Sequence, residues 1–284
     1  MNNIYAHDYH WHDAIHGRHA LHSDDNNPCG FDAQQPCDDG SHGTHTMGTM
    51  VAADTVVSLG VAPEAQWIGC RNMEDGWGAP NTYLECFEWF LAPTDLNNQN
   101  ADPTKAPHVI NNSWGCPEIE GCDTSNFVLL EMAINNLKLA GVVVVVSAGN
   151  SGTDCYSINT PAAIYESSFS VGALGSNDTI ANFSSRGSVN VDGSNRTKPN
   201  ITAPGQAVTS YWLQGNGTNS FTGATDLYNM DIDPTFLFEK KGGDIENKNF
   251  PDNNICKISG PFTDPGATFS DITYRPNQGA YGGN

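Results

Sequence analysis

The chain has 284 residues and a mass of 30.5 kDa, room for one large α/β domain or two small ones, and its 38% apolar content suffices for a core and excludes full-length disorder. Its 12 basic residues are outnumbered by 32 acidic ones, and the net charge of −20 argues against nucleic acid or an anionic membrane surface as a partner. The longest apolar run, Val142–Val146, is strand-length and far short of the ~20 residues of a membrane span.

Residues 1–36 form a polar first region. Six of the nine histidines fall between His7 and His22, at a spacing that fits no single helix face, so solvated loop is the expected state and metal binding the alternative. From Ser41 the pattern changes. Ser41-His-Gly-Thr-His-Thr-Met-Gly-Thr-Met-Val-Ala-Ala places small and apolar residues at helical spacing, with Ser41 as the expected N-cap. Trp67–Met73 reads as a short strand. Thr82–Leu91 carries Tyr83, Leu84, Cys86, Phe87 and Phe90 at helical spacing, with Pro93 as a stop. His108-Val-Ile-Asn-Asn-Ser-Trp-Gly is a strand running into a turn. Asn126–Ala140 is amphipathic, with Phe127, Leu130, Ile134 and Leu137 on one face and Gly141 as the stop. The valine run follows at once. Unbroken β-branched runs mark strands covered on both faces, and Phe169–Ala173 reads as another strand. Strand, helix and strand in this order predict right-handed β-α-β crossovers and a doubly wound parallel sheet of the α/β class. After residue 225 the composition turns to Asp, Asn, Gly and Pro. The expected organisation is therefore 1–36, a domain over 37–225, and a loop-rich tail over 226–284.

The eight cysteines include no C-x-x-C pair, which disfavours a zinc ribbon or a thioredoxin-like site. Cys116 and Cys122 bracket a short loop, as do Cys29 and Cys37. Short loops between turn residues suit disulfides and an oxidising, extracellular setting, with buried free thiols as the alternative. The start of the chain lacks the basic and apolar stretches of a signal peptide, so secretion would require a targeting segment outside this sequence.

Three segments place polar groups where strands are expected to end, the usual location of sites in open α/β sheets. His42 opens a helix, and a neutral imidazole can take a proton from a hydroxyl near pH 7. Asn150 follows the valine strand in Ser147-Ala-Gly-Asn-Ser-Gly and offers an amide to an oxyanion. Asn112-Ser-Trp-Gly has a backbone edge that could pair with an extended peptide. Taken singly, each has a bland reading: a structural histidine, a turn, a strand end.

Taken together and in this order, they resemble the subtilisin-like serine peptidases. Ser41-His-Gly-Thr-His-Thr-Met-Gly-Thr-Met-Val-Ala resembles the family's histidine motif, Val109-Ile-Asn-Asn-Ser-Trp-Gly its substrate-binding strand, and Val145-Val-Ser-Ala-Gly-Asn-Ser-Gly its oxyanion-asparagine segment. Ala181-Asn-Phe-Ser-Ser-Arg-Gly and Lys198-Pro-Asn-Ile-Thr-Ala-Pro-Gly resemble two further signatures, and the likeness is nearest to the bacillopeptidase F-like branch. The resemblance implies a three-layer sheet of the subtilisin type, incomplete here at both ends. It implies a serine-type endopeptidase acting on proteins or peptides, with His42 as general base and Asn150 as oxyanion donor. Ser113, Trp114 and Gly115 would form one wall of the cleft, and Ser147, Ala148 and Gly149 the other wall with the specificity pocket. No metal ligands are assigned and no cofactor is expected. Calcium is common in the family, but the sequence shows no local ligand pattern for it. The resemblance implies neither nucleic acid nor membrane as a partner and leaves the oligomeric state open.

Two departures qualify the likeness. The family's aspartate ends a core strand before the histidine motif, and nothing from Met1 to Ser41 matches it. Asp8 and Asp13 lie among histidines, and Asp38 and Asp39 are too close to His42 in sequence, so the chain is expected to begin downstream of that strand. Where Gly-Thr-Ser-Met-Ala belongs, Gly223-Ala-Thr225 aligns best. That puts Thr225, whose extra methyl crowds the approach to a carbonyl, in the nucleophile position, with Ser220 too early. The resulting expectation is a partial or divergent peptidase domain that is inactive on its own. The alternatives are a pseudoprotease that binds extended peptides without cutting them, or a structural fragment that needs a partner chain.

Overall fold

The computed structural model describes residues 7–22, 27–53, 59–175 and 178–212, together with the backbone of 226–230. In chain order the elements are β1 (Trp11–Asp13), α1 (His42–Val51), β2 (Gly69–Arg71), β3 (Met73–Glu74), β4 (Trp77–Gly78), α2 (Pro80–Leu91), β5 (Val109–Asn112), α3 (Phe127–Leu139), β6 (Val143–Ser147), β7 (Phe169–Leu174), β8 (Ile201–Pro204), β9 (Val208–Trp212) and β10 (Asp226–Met230).

A parallel sheet in the order β5-β6-β7-β8 forms the centre. Val109–Asn112 runs beside Val143–Val146, Val145–Ser147 beside Phe169–Val171, and Val171–Leu174 beside Ile201–Pro204. The segment β5-α3-β6 is the β-α-β unit that the hydrophobic pattern predicts. Leu130, Ile134 and Leu137 of α3 are buried, as expected, and meet Tyr83 and Phe87 of α2, Ile110 of β5, and Val144 and Val146 of β6 in one core. The α2 helix starts two residues before its predicted beginning. Pro80 fills its first position, where a missing N–H is harmless, and the Thr82 hydroxyl accepts the Ala79 N–H at 3.1 Å.

The valine strand departs from expectation. Val144 and Val146 are buried, whereas Val143 is 53% exposed and its register partner Val109 is 42% exposed. The pleat sends alternate side chains to opposite faces, and α2 and α3 pack against one of them. Val143 faces away from that packing, so burial on both faces does not hold along the whole run.

The N-terminal layer is also more ordered than its polar composition suggests. Trp11, His12 and Asp13 are buried in β1, which pairs in parallel with β2. Arg71 of β2 gathers the layer. Its guanidinium donates to Asp13 Oδ2 at 3.2 Å, the Gly30 carbonyl at 2.9 Å, Asn27 Oδ1 at 3.2 Å and Asp39 Oδ2 at 2.5 Å. Disulfides join Cys29 to Cys37, Cys70 of β2 to Cys86 of α2, and Cys116 to Cys122. The first and third are the two short loops read from the sequence. The second closes a longer span that local spacing does not reveal.

Helix α1 lies against β9. The Ser210 hydroxyl donates to the His45 carbonyl at 2.7 Å, and a Cβ on Gly48 would meet Ser210 Oγ at 2.4 Å, so only glycine permits this approach. The backbone of β10 pairs antiparallel with β9, Asp226 opposite Trp212 and Met230 opposite Val208. Residues 226–230, which composition assigns to the tail, thus continue the pairing of the domain.

Candidate active site

The sheet order brings two of the predicted segments to one edge. Strands β5 and β6 are parallel neighbours, Asn112 opposite Val146. Ser113–Gly115 and Ser147–Gly149 therefore leave the carboxyl ends of adjacent strands side by side.

The first segment is held from behind. Asn112 donates through its side chain to the Val145 carbonyl at 3.4 Å, and Asn111 donates to Ser113 Oγ at 3.2 Å. The Trp114 ring stacks on Tyr83 of α2, centroids 3.9 Å apart and 8° from parallel, with Phe87 tilted at 5.7 Å. Tyr83 is fully buried, and its hydroxyl donates to Glu120 Oε2 at 2.7 Å inside the Cys116–Cys122 loop. Burial raises the carboxyl pKa of Glu120 against the opposing pull of the Tyr83 hydroxyl. Beyond Gly115, the Cys116 N–H donates to the Pro161 carbonyl at 3.0 Å.

The second segment is pinned by the Ala181–Gly187 motif. Gly149 has φ +104, and a Cβ there would meet Ser185 Oγ at 2.9 Å, so both the conformation and the close approach select glycine. The Ser185 N–H donates to the Gly149 carbonyl at 2.8 Å, and Ser185 Oγ accepts the Ser151 N–H at 3.0 Å. Ser147 and Ala148 are buried, whereas Asn150 at the tip of the turn is exposed.

His42 is the first residue of α1 and is exposed. Enough protein surrounds the ring that burial holds its pKa below the free-imidazole value, with the Asp38 carboxylate pulling the other way, so the neutral base prevails at pH 7. Ser41 occupies the N-cap position, as predicted, but in the left-handed region (φ 61) and without a side-chain cap. Asp38 does the capping instead. Its Oδ1 accepts the Gly40 and Ser41 N–H groups at 3.0 and 2.9 Å, and its Oδ2 accepts the Thr44 N–H and hydroxyl, both at 2.7 Å. Its negative charge suits the positive end of the helix dipole. An aspartate four residues before the predicted helix start is the signal that could have found it.

The aspartates of the described N-terminal layer near α1 carry hydrogen bonds of their own. Asp13 does end a strand, contrary to the sequence reading, but its Oδ1 accepts the Ile15 N–H at 3.0 Å and its Oδ2 the Ala33 N–H at 2.8 Å and Arg71. Burial pushes the Asp13 carboxyl pKa up, against the attraction of Arg71. Asp39 is bound to Arg71 and Asp38 caps α1. Thr225 and Ser220 lie outside the described residues. Among the described residues, no group of three or more His, Cys, Asp or Glu is placed to hold a metal ion, and no step is assigned to one.

The sequence matches the Subtilase family over residues 7–231, well over half of the chain. The chain belongs to the subtilase family. Members of that family are serine endopeptidases. The chain is 37% identical to Bacillopeptidase F of Bacillus subtilis (strain 168) over 182 residues, covering 62% of this chain and 12% of that protein. Serine protease AprX of the same organism is 35% identical over 187 residues, with 62% and 40% covered. Subtilisin BL of Lederbergia lenta is 32% identical over 187 residues, with 65% and 60% covered. The chain thus spans less than two thirds of each of these relatives. A protease from Pseudoalteromonas arctica PAMC 21717 shares the fold at a TM-score of 0.54, 23% identical, with 78% of this chain and 66% of that one covered. The α/β parallel sheet is accordingly of the subtilisin type.

Proposed function

We propose that this subtilase chain forms the substrate cleft and supplies the general base of a secreted serine endopeptidase. An extended peptide would pair with the Ser113–Gly115 edge, with Ser147–Gly149 as the opposite wall. His42 would take the proton of an attacking hydroxyl, and Asn150 would donate to the oxyanion. One observation carries this reading: the two wall segments emerge from the neighbouring parallel strands β5 and β6, each backed by its own set of hydrogen bonds. The disulfides Cys29–Cys37, Cys70–Cys86 and Cys116–Cys122 are in keeping with an oxidising, extracellular site of action.

Hydrolysis by the chain alone should be weak. The nearby aspartates are committed to Arg71 and to the cap of α1, and in subtilisin loss of the aspartate alone costs roughly 10⁴-fold in turnover. That commitment and the threonine at position 225 favour a second reading, a cleft that binds extended peptides without cutting them. The test is a peptide titration read at backbone amides, run alongside casein and fluorogenic peptide assays. Shifts at both wall segments, with hydrolysis no faster than that of His42→Ala, are expected. Absence of shifts sinks both readings. Hydrolysis above the His42→Ala level, or fluorophosphonate labelling of Ser220 or Thr225, decides for the active enzyme over the binder.

A further inference from the structure

The His-rich segment has no part in the proposed chemistry, yet its side chains are placed with care. His12, buried in β1 and stacked on Trp89 at 5.6 Å, presents Nε2 to Glu85 Oε1 at 2.8 Å. His16 presents its own Nε2 to the same Glu85 oxygen at 2.8 Å and its Nδ1 to Asp32 Oδ1 at 2.5 Å. Glu85 belongs to α2, and Asp32 to the loop closed by Cys29–Cys37. Both nitrogens of the His16 ring therefore face carboxylate oxygens. A neutral imidazole has one N–H and one lone pair, so neither tautomer satisfies both contacts, whereas the imidazolium satisfies both.

We propose that Asp32, His16 and Glu85 form a proton-operated latch that straps the N-terminal segment to α2, closed while His16 is an imidazolium and released as it loses its proton. An exposed ion pair by itself contributes little, but this ring bridges two carboxylates on two separate elements and cannot keep both once neutral. The Asp32 hydrogen bond and then Glu85 raise the pKa of His16 against the effect of burial. Burial disfavours the Glu85 charge, but His12 and His16 together outweigh it and hold its carboxyl below the usual range. The signs set a window. A base whose folded pKa is raised adds stability below its unfolded pKa and loses it as pH rises through the folded value. An acid whose folded pKa is lowered adds stability above its unfolded pKa and loses it as pH falls through the folded value. The latch is closed between those limits. Deeper in the layer His22 also lies between two carboxylates, but at the longer ion-pair distances of 3.3 Å from Nδ1 to Glu74 Oε1 and 3.6 Å from Nε2 to Asp75 Oδ2.

The strapped loop leads directly into Asp38 and α1, so the latch would regulate the approach to His42. That consequence rests on the proposed function, whereas the latch itself does not. The test therefore reads structure without substrate. Imidazole nitrogen NMR of the whole chain at about pH 6 should show His16 protonated at both nitrogens, and a neutral ring there overturns the proposal. Exchange at the Asp32 and Ala33 amides, which bond to the Ile15 carbonyl and Asp13 Oδ2, should lose protection severalfold as pH rises from about 6 to about 9, after correction for intrinsic rates. His16→Gln should exchange fast and with no such dependence. The same alkaline loss in His16→Gln would overturn the latch. If that variant does not fold, Glu85→Gln serves from the other side: it should abolish the acid limb of the window, and an unchanged acid limb counts against the proposal. Loss or absence of peptide hydrolysis leaves all of these readings untouched.

Discussion

Around β5–β8 the contacts that matter are apolar: Ile110, Leu130, Ile134, Leu137, Val144 and Val146 close on one another and exclude water. Around β1, β2 and the approach to α1 they are ionic: Arg71 with Asp13 and Asp39, histidines with Glu85 and Asp32, and two disulfides. Burial of apolar area is non-directional and insensitive to pH, so the apolar contacts of the sheet tolerate compensating change and do not themselves titrate. An ion network depends on geometry and on each member's charge, so the N-terminal layer answers to pH, salt and single substitutions. The proposed site draws on both. Its cleft walls grow from the apolar region, and its base sits at the end of the ionic one.

The sharpest way to break this comparison is Arg71→Met. It leaves Asp13 and Asp39 without their cation and should cost about 3–5 kcal/mol. The loss should be local: the Ala14 and Gly69 amides, which tie β1 to β2, should lose exchange protection before those of β5–β8. Equal loss in both regions would mean that they do not differ as described. Ile134→Ala is the complementary test. Truncating a side chain with 0% exposure should cost about 2–5 kcal/mol by denaturant unfolding, and cooperatively, because the whole sheet shares that core.

A smaller effect is expected from Asp38→Asn. It weakens the cap of α1 by about 1 kcal/mol, read as fraying of the first turn by exchange. Because Asp38 raises the His42 pKa, its neutralisation should lower that pKa further, which proton NMR of the ring would show. A rise instead would mean that another charge governs the imidazole.

The last prediction concerns the sheet alone. Lys198 is buried, donating to the Ser168 carbonyl at 2.6 Å and Asn200 Oδ1 at 2.9 Å, and burial lowers its pKa to about 7. The unfolded lysine keeps its proton to about pH 10, so between these values the unfolded state binds more protons and stability rises with pH. Over the same range the latch should loosen. A pH series following both regions should show them diverge, and Lys198→Met should remove the rise in the sheet.

The sequence by itself determined the elements whose signal is periodic and short-range. The 3.6-residue spacing of Leu130, Ile134 and Leu137, the valine run, the stop at Gly141 and the two short cysteine loops all lie within windows of a few residues, where backbone geometry alone fixes which side chains share a face. The ordered succession of the His42, Asn112–Gly115 and Ser147–Asn150 motifs placed the family as well. Only the tertiary structure decided the rest. Asp13 meets Arg71, Cys70 meets Cys86, His12 and His16 meet Glu85, and Tyr83 meets Trp114 across gaps in sequence that no local pattern spans. A polar, His-rich stretch reads as solvated loop because its partners are carboxylates elsewhere in the chain, and an ion pair becomes visible only when folding brings both charges to the same place.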